Sequence, residues 1–300
     1  MSESADNTRD AQQRVWFVTG SSRGLGRALI TAVLDAGDLV VATARRPEAL
    51  AAELEEYGER VLALPLDVTS ANAARAAVDA AVDRFGRLDV VVNNAGYANV
   101  APAETADDAD FRAQFETNFW GVYHVTRAVL PVLRRQGSGT VVQVSSVGGR
   151  VGGSPGIASY QAAKFAVDGF TRSVAAETAP FGVRFMVVEP SGFATDWAGS
   201  SMTVHPVPDA YDATVGAMNR RVRQGTAGSA GDPERAAEII VRTVRRGEVP
   251  GHLLLGVNAV TLALDYSRRQ LDEAGAWEAV SRSADFAEPY PVELPPLTPQ

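Results

Sequence analysis

Between residues 15 and 189 the chain repeats one pattern: a short run of β-branched and other apolar residues, then a longer stretch whose apolar positions recur every three or four residues. The runs fall at 15–19, 39–44, 61–64, 88–93, 140–146 and 183–189. The stretches between them, LGRALITAVLDAG and SANAARAAVDAAVDRFG among them, have helical periodicity. Strands alternating with helices assemble as βαβ units, which build a parallel sheet covered on both faces. The runs suit that burial, being apolar almost throughout. The expectation is an α/β fold, a Rossmann-type doubly wound parallel sheet in a single domain over residues 14–257.

The flanks read differently. Residues 1–13 are expected to be a flexible tail. Residues 191–231, rich in Gly, Ser and Ala with scattered aromatics, read as a variable segment within the domain. Asp232-Pro233 supplies a good N-cap and first position for the next helix, and a strand is expected at 252–255. Residues 258–300 read as a helical extension ending in EPYPVELPPLTPQ, which its prolines keep extended.

Composition removes several function classes. With no cysteine among 300 residues, disulfides, zinc–thiolate sites and thiol catalysis are excluded. The three histidines lack metal-ligand spacing, so no metal is expected. His124 reads as packed or solvated, His252 as a strand start, and His205 as a residue of the variable segment within reach of a substrate. A net charge of −8 argues against a nucleic-acid partner. The longest apolar run, HLLLGVNAVTLAL, is short of the ~20 residues of a bilayer span. It reads as a core strand followed by a helix, so no membrane partner is expected. The polar N-terminus MSESADNTRD has neither a secretory apolar core nor the arginine-rich character of a transit peptide, and the expected location is the cytoplasm.

In VWFVTGSSRGLGRAL a strand, a tight turn and a helix start follow in order. Gly20, Gly24 and Gly26 fall where the backbone must turn sharply and admit a phosphate, and free N–H groups at a helix start favour a pyrophosphate. Position after the first strand of a βαβ unit is what a dinucleotide site requires. Farther on, ASYQAAKFAVDG sets Tyr160 and Lys164 one helical turn apart on one face. A free phenol has a pKa near 10, and a neighbouring ammonium can lower it by ~1–3 units, making a proton shuttle.

The glycine spacing is T-G-x-x-x-G-x-G. With Leu66–Val68, NNAG at 93–96, Asn118, the Ser145–Ser146 pair and Tyr160/Lys164, the chain resembles the classical short-chain dehydrogenase/reductase family from about Arg14 to Leu255. The resemblance implies a catalytic set of Asn118, Ser146, Tyr160 and Lys164. Ser146 would hydrogen-bond the substrate oxygen, Tyr160 would pass the proton, Lys164 would tune Tyr160 and hold the nicotinamide ribose, and Asn118 would anchor a water behind Lys164. It also implies that Gly20, Ser22, Arg23, Gly24, Leu25 and Gly26 line the cofactor. Asp67 and Val68 would meet the adenine, Asn94, Ala95 and Gly96 the adjoining ribose, and Pro190, the Phe193 backbone and Thr195 the carboxamide. Two departures stand out. The stretch from Ser146 to Tyr160 is one residue longer than the family's, and Pro190-Ser191-Gly192 replaces its Pro-Gly.

In a dinucleotide fold a carboxylate ending the second strand selects NAD. Here LVVATARRPE ends in Ala44 with Arg45 and Arg46 next, and Arg23 can close on the same space. A guanidinium suits a phosphate, so NADP(H) is expected over NAD(H). The resemblance makes residues 193–225 a lid holding Trp197, Met202, Tyr211 and Met218, a mostly apolar set. The expected activity is an NADPH-dependent reduction of a medium-sized, largely apolar ketone or aldehyde, reversible as an alcohol dehydrogenase. A cofactor-binding sensor without catalysis is the alternative. A homodimer or homotetramer built on the helices beside the fourth and fifth strands is a family expectation.

Overall fold

A computed structural model describes residues 13–195, 202–224 and 231–296. Most of the expected N-terminal tail, Trp197 and residues 297–300 lie outside the described residues.

Seven parallel strands form one sheet in the order β3-β2-β1-β4-β5-β6-β7: β1 Val15–Thr19, β2 Leu39–Ala44, β3 Val61–Pro65, β4 Val90–Asn93, β5 Gly139–Val144, β6 Val183–Pro190 and β7 His252–Leu255. The order reverses between β1 and β4, where Val18 pairs with Ala42 on one side and Val92 on the other. Crossovers leave that point in opposite directions, which opens a crevice at the carboxyl ends of the strands.

The connecting helices are α1 Gly24–Asp35, α2 Glu48–Glu53, α3 Ala71–Phe85, α4 Asp108–Phe115, α5 Gly121–Gln136, α6 Gly148–Val151, α7 Ala158–Thr178, α8 Ala217–Arg223, α9 Pro233–Arg245, α10 Val257–Ala276 and α11 Glu278–Arg282. Their bounds follow local chemistry. Ser70, Asp107 and Asp232 cap α3, α4 and α9 with side-chain oxygens, and Gly86 and Gly137 end α3 and α5 in the left-handed region. Alternate residues of β1 enter opposite cores. Trp16 and Val18 pack with Ile30 of α1 and Ile240 of α9, whereas Val15 and Phe17 pack with Val78 of α3 and Val129 of α5. Helix α5 even carries Pro131 in its interior. Such a proline costs about 3 kcal/mol, and burying Val122, Val125, Val129 and Leu133 at roughly 1.5–3 kcal/mol each outweighs it.

The structure departs from sequence expectation at instructive places. Strand β4 begins at Val90 rather than 88, because the Gln136 side chain takes both Leu88 backbone groups, at 3.0 and 2.6 Å. Strand β5 ends at Val144, although the Ser145 and Val147 N–H groups still donate to the Val188 and Pro190 carbonyls of β6, at 2.8 and 3.0 Å. HLLLGVNAVTLAL does form a strand and a helix, but the expected core strand is buried only at Leu255, with His252, Leu253 and Leu254 half-buried, and the helix is largely exposed. Of α10 only Ala259 and Ala263 are buried, and Val257, Val260, Leu262 and Leu264 face outward.

At the opposite end of the sheet from the crevice, Asp38 is a buried junction. It accepts from the Trp16 indole Nε1 at 3.0 Å and the Arg14 backbone N–H at 3.1 Å, and pairs with Arg245 at 2.7 Å. The Arg14 guanidinium donates to the carbonyls of Val244 and Arg245, at 2.8 and 3.0 Å, finishing α9. Asp38→Ala would strand a buried indole donor and a partly buried guanidinium. Removing one partner of a buried pair typically costs about 3–5 kcal/mol, which urea unfolding of the variant is expected to show.

Candidate active site

The turn after β1 is built by close approach. Gly20 and Gly24 have φ of 67° and 55°. A Cβ on Gly20 would sit 2.9 Å from the Ala95 Cα, and one on Gly26 would overlap the Gly20 carbonyl and the Asn94 side chain. Asn94 binds the turn directly. Its Nδ2 donates to the carbonyls of Thr19 and Gly20 at 3.0 and 3.1 Å, and its N–H donates to Thr19 Oγ1 at 2.9 Å. Ala95 N–H reaches the same hydroxyl at 3.1 Å. Helix α1 begins with Arg23 as a cap that offers no side-chain acceptor. Its first N–H groups thus remain available to an anion.

The remaining cofactor candidates border this turn. Ser22, Arg23, Arg45, Arg46 and Asp67 are exposed, and Leu25 is half-buried against the α1 face of the core. Arg23, Arg45 and Arg46 enter no ion pair among the described residues. Asp67 Oδ1 accepts from the Thr69 N–H and hydroxyl at 3.0 and 2.8 Å, and Val68 is buried with its carbonyl 3.1 Å from His124 Nδ1. Thr195 closes the far side: a Cβ on Gly24 would lie 3.4 Å from its Cβ. The Thr195 N–H donates to the Phe193 carbonyl at 2.8 Å, and Phe193 is bridged to Gly231, while Pro190 ends β6 beside Ser191. The residues fit a dinucleotide, with a glycine-lined turn, an uncapped helix start and an exposed guanidinium at the end of β2.

Tyr160 and Lys164 are both buried on α7, at 7% and 3% exposure, which removes the reading of a solvated helical pair. Lys164 Nζ donates to the Val144 carbonyl at 2.7 Å and lies 5.8 Å from the centre of the Tyr160 ring. The Ser146 hydroxyl is hydrogen-bonded to the Tyr160 phenol and accepts from the Gly148 N–H at 3.0 Å. The extra residue between Ser146 and Tyr160 is absorbed by glycines: Gly152, Gly153 and Gly156 have φ of 63°, 77° and 85°. Helix α6 is pressed between them, since a Cβ on Gly149 would lie 2.7 Å from both Lys164 Cβ and Ser145 Oγ. Arg150 of α6 is clamped to the buried Glu189 of β6 by two contacts of 3.1 and 3.0 Å.

The electrostatics differ from expectation. Burial pushes the phenol up to about 12, partly offset by the hydrogen bond from Ser146, and burial pushes the ammonium down to about 8. The expected lowering of the phenol by Lys164 is not what dominates. Loss of water disfavours both charged forms. A phenol so raised keeps its proton at neutral pH.

Asn118 lies in a π-helical turn, Glu116–Trp120, joining α4 to α5, and is fully buried. Such turns inside helices are frequent at functional sites. Both Nδ2 hydrogens are used, on the carbonyls of Tyr97 and Gln114 at 2.8 Å each, and Oδ1 accepts from the Tyr97 N–H at 3.1 Å. One Oδ1 lone pair is left for a water. Gly96 sits between Asn118 and Lys164, since a Cβ there would lie 2.6 Å from Asn118 Oδ1 and 3.5 Å from Lys164 Nζ. The crevice thus brings together Asn118, Ser146, Tyr160 and Lys164. Sequence reasoning missed the carbonyl of Val144, the Arg150–Glu189 clamp and the polar residues Asp110 and Gln114. These two precede Asn118 at four-residue steps, and that stripe is visible in the sequence. Among the described residues no group of three or more His, Asp or Glu is placed to hold a metal, and no helix is long and apolar enough to cross a membrane.

A family model described as short chain dehydrogenase matches residues 14–204. The chain is 49% identical over 251 residues to the oxidoreductase BOA17 of Botryotinia fuckeliana strain B05.10, covering 83% of this chain and 91% of that one. The crystal structure of a short-chain dehydrogenase from Streptomyces avermitilis matches with a TM-score of 0.85 at 37% identity, covering 95% of this chain and 100% of that one. An alcohol dehydrogenase from the archaeon Thermococcus sibiricus, complexed with 5-hydroxy-NADP, matches at 26% identity and a TM-score of 0.67, covering 81% of this chain and 96% of its own. Solved neighbours complexed with NADH also occur. The chain belongs to the short-chain dehydrogenase family of oxidoreductases, whose fold binds a nicotinamide cofactor.

Burial of Lys164 has a measurable sign. Folded, it loses its proton near 8; unfolded, near the ordinary 10.5. Between those values the unfolded chain holds more protons, so stability from this group rises with pH. Lys164→Met has no such proton to lose. Its unfolding free energy relative to the native protein, measured by urea titration, is expected to fall as pH rises from about 8 to about 10.

Proposed function

We propose that this chain is an NADPH-dependent reductase of a medium-sized, largely apolar ketone or aldehyde. The observation that carries the reading is the buried Tyr160 phenol, bonded to Ser146 and backed by Lys164, at the carboxyl end of the sheet beside the glycine turn. When bound, a reduced nicotinamide supplies hydride to the carbonyl carbon. The chain's part is to hold the carbonyl oxygen and protonate it. Ser146 and Tyr160 both offer hydroxyls to that oxygen, where negative charge develops. Tyr160, protonated at neutral pH, gives the proton, and the product is an alcohol. Lys164 balances the phenolate left behind. Asn118 holds the loop that carries Gly96 against Lys164.

Two features support the finer points. Arg45, exposed at the end of a β2 that has no terminal carboxylate, favours a 2′-phosphate and hence NADPH. Above Tyr160 the surroundings are apolar: Ala98, Val100, Ile157 and Val215 pack around it, with Met202 and Val207 against them. That wall suits an apolar substrate. The proposal includes a cytoplasmic location and a homodimer or homotetramer, the association supported by the outward-facing Trp120 and Phe165, each 41% exposed, beside α5 and on α7.

Following NADPH oxidation with carbonyl compounds graded from small and polar to polycyclic tests the reading. Tyr160→Phe is expected to lower turnover about 10²–10⁴-fold with the cofactor still bound. Turnover surviving in that variant overturns the assignment, and cofactor binding without turnover by the native protein favours a sensor. Arg45→Ala is expected to weaken NADPH roughly tenfold to a hundredfold and NADH little, as isothermal titration would show. An equal loss for both removes the NADPH preference.

A further inference from the structure

Residues 202–207, Met-Thr-Val-His-Pro-Val, run as a strip across the loop that follows β4. Val100 and Val204 form a parallel bridge: Val100 N–H donates to the Thr203 carbonyl and His205 N–H to the Val100 carbonyl, each at 2.9 Å. Apolar side chains of the strip, Met202, Val204 and Val207, pack on the cluster that contains Tyr160. The height of the strip therefore sets the room above the phenol.

The strip is held through Asn99. That residue accepts from the Thr203 N–H at 2.9 Å, donates its own N–H to Gln114 Oε1 at 2.9 Å, and donates Nδ2 to Asp110 Oδ1 at 2.6 Å. Asp110 Oδ2 accepts from Gln114 Nε2 at 3.0 Å. His205 is the one ionisable side chain of the strip, and its Nε2 faces Asp110 Oδ2 at 3.4 Å. That nitrogen is shielded from solvent and has no hydrogen bond. A shielded donor without a partner is unfavourable, and an inward shift of about half an ångström brings it to normal bonding distance.

We propose that His205, through Asp110, is the catch that holds the strip 202–207 over Tyr160, and that it is thereby a positioning residue for substrate affinity. The proposal rests on the reductase reading for its kinetic consequence, and on the geometry alone for the catch. Asp110 and Gln114 join the strip to the catalytic side as well, since the Gln114 carbonyl accepts from Asn118. The bonds of Ser146 to Tyr160 and Gly148, and of Lys164 to the Val144 carbonyl, do not involve His205. Loss of the catch therefore loosens the wall of the substrate cavity and leaves the reacting groups in place.

The test compares His205→Leu, which lacks the donor, with His205→Gln, which retains one. Two readouts are taken: steady-state kinetics with NADPH and the best apolar ketone of the panel, and hydrogen–deuterium exchange over 202–207, where Thr203 and His205 N–H are the reporters. In the Leu variant KM is expected to rise about three- to tenfold with kcat and NADPH affinity unchanged, and exchange to accelerate. The Gln variant is expected to recover most of both. Unchanged exchange in the Leu variant overturns the catch. A fall in kcat at constant KM overturns its role in affinity. If the native protein reduces no carbonyl, the reductase reading fails, and the exchange comparison alone decides whether His205 holds the strip.

Discussion

Asn94 Nδ2 bonds two successive carbonyls, those of Thr19 and Gly20, and so ties the turn after β1 to the turn after β4. The two turns meet where the strand order reverses, and glycine is required because the backbones approach too closely for a Cβ. From that tie the rest of the crevice takes its position. The β4 turn continues through Gly96 to Tyr97, which Asn118 holds at both backbone groups. Gly96 in turn lies over Lys164 Nζ. The glycine turn and the Ser146–Tyr160–Lys164 cluster are therefore not separate modules on the sheet. They share a wall one residue thick.

Tyr160 and Lys164 illustrate how burial sets protonation. On an exposed helix the ammonium and the phenol would keep ordinary pKa values. Placed under α6 and against β5, each is pushed toward its neutral form. The Val144 carbonyl compensates Lys164 in part, with a 2.7 Å bond that survives in either protonation state. At neutral pH a phenol near 12 and an ammonium near 8 both still hold their protons. Structural precision here comes from small residues: α6 reaches Lys164 and Ser145 only because Gly149 has no side chain.

Much of this was legible in the sequence. Strand bounds at 15–19, 39–44 and 252–255 match the structure, because β-branched runs bounded by turn residues admit few other readings. Ser146 was chosen over Ser145 despite a longer connection to Tyr160; the structure bonds its hydroxyl to the Tyr160 phenol, and glycines at positive φ absorb the extra length. Other features depend on distant partners and leave no local trace. Nothing near Asp38 announces that Trp16 and Arg245 converge on it. Gln136 shortens β4 from the far end of α5. The direction of the Tyr160 shift required knowing how deeply both groups lie, which spacing on a helix does not reveal.

The sheet is also divided along its length. The Asp38 junction, with Arg14, Trp16 and Arg245, fastens the amino ends of the strands to α9. The glycine turn and Tyr160 lie at the carboxyl ends. Robustness and chemistry are accordingly kept at opposite poles of the same strands, with the packed cores of both faces between them. The two ends share no side-chain partner among the contacts described above, so the energetic effects of substitutions at one are expected to add to those at the other.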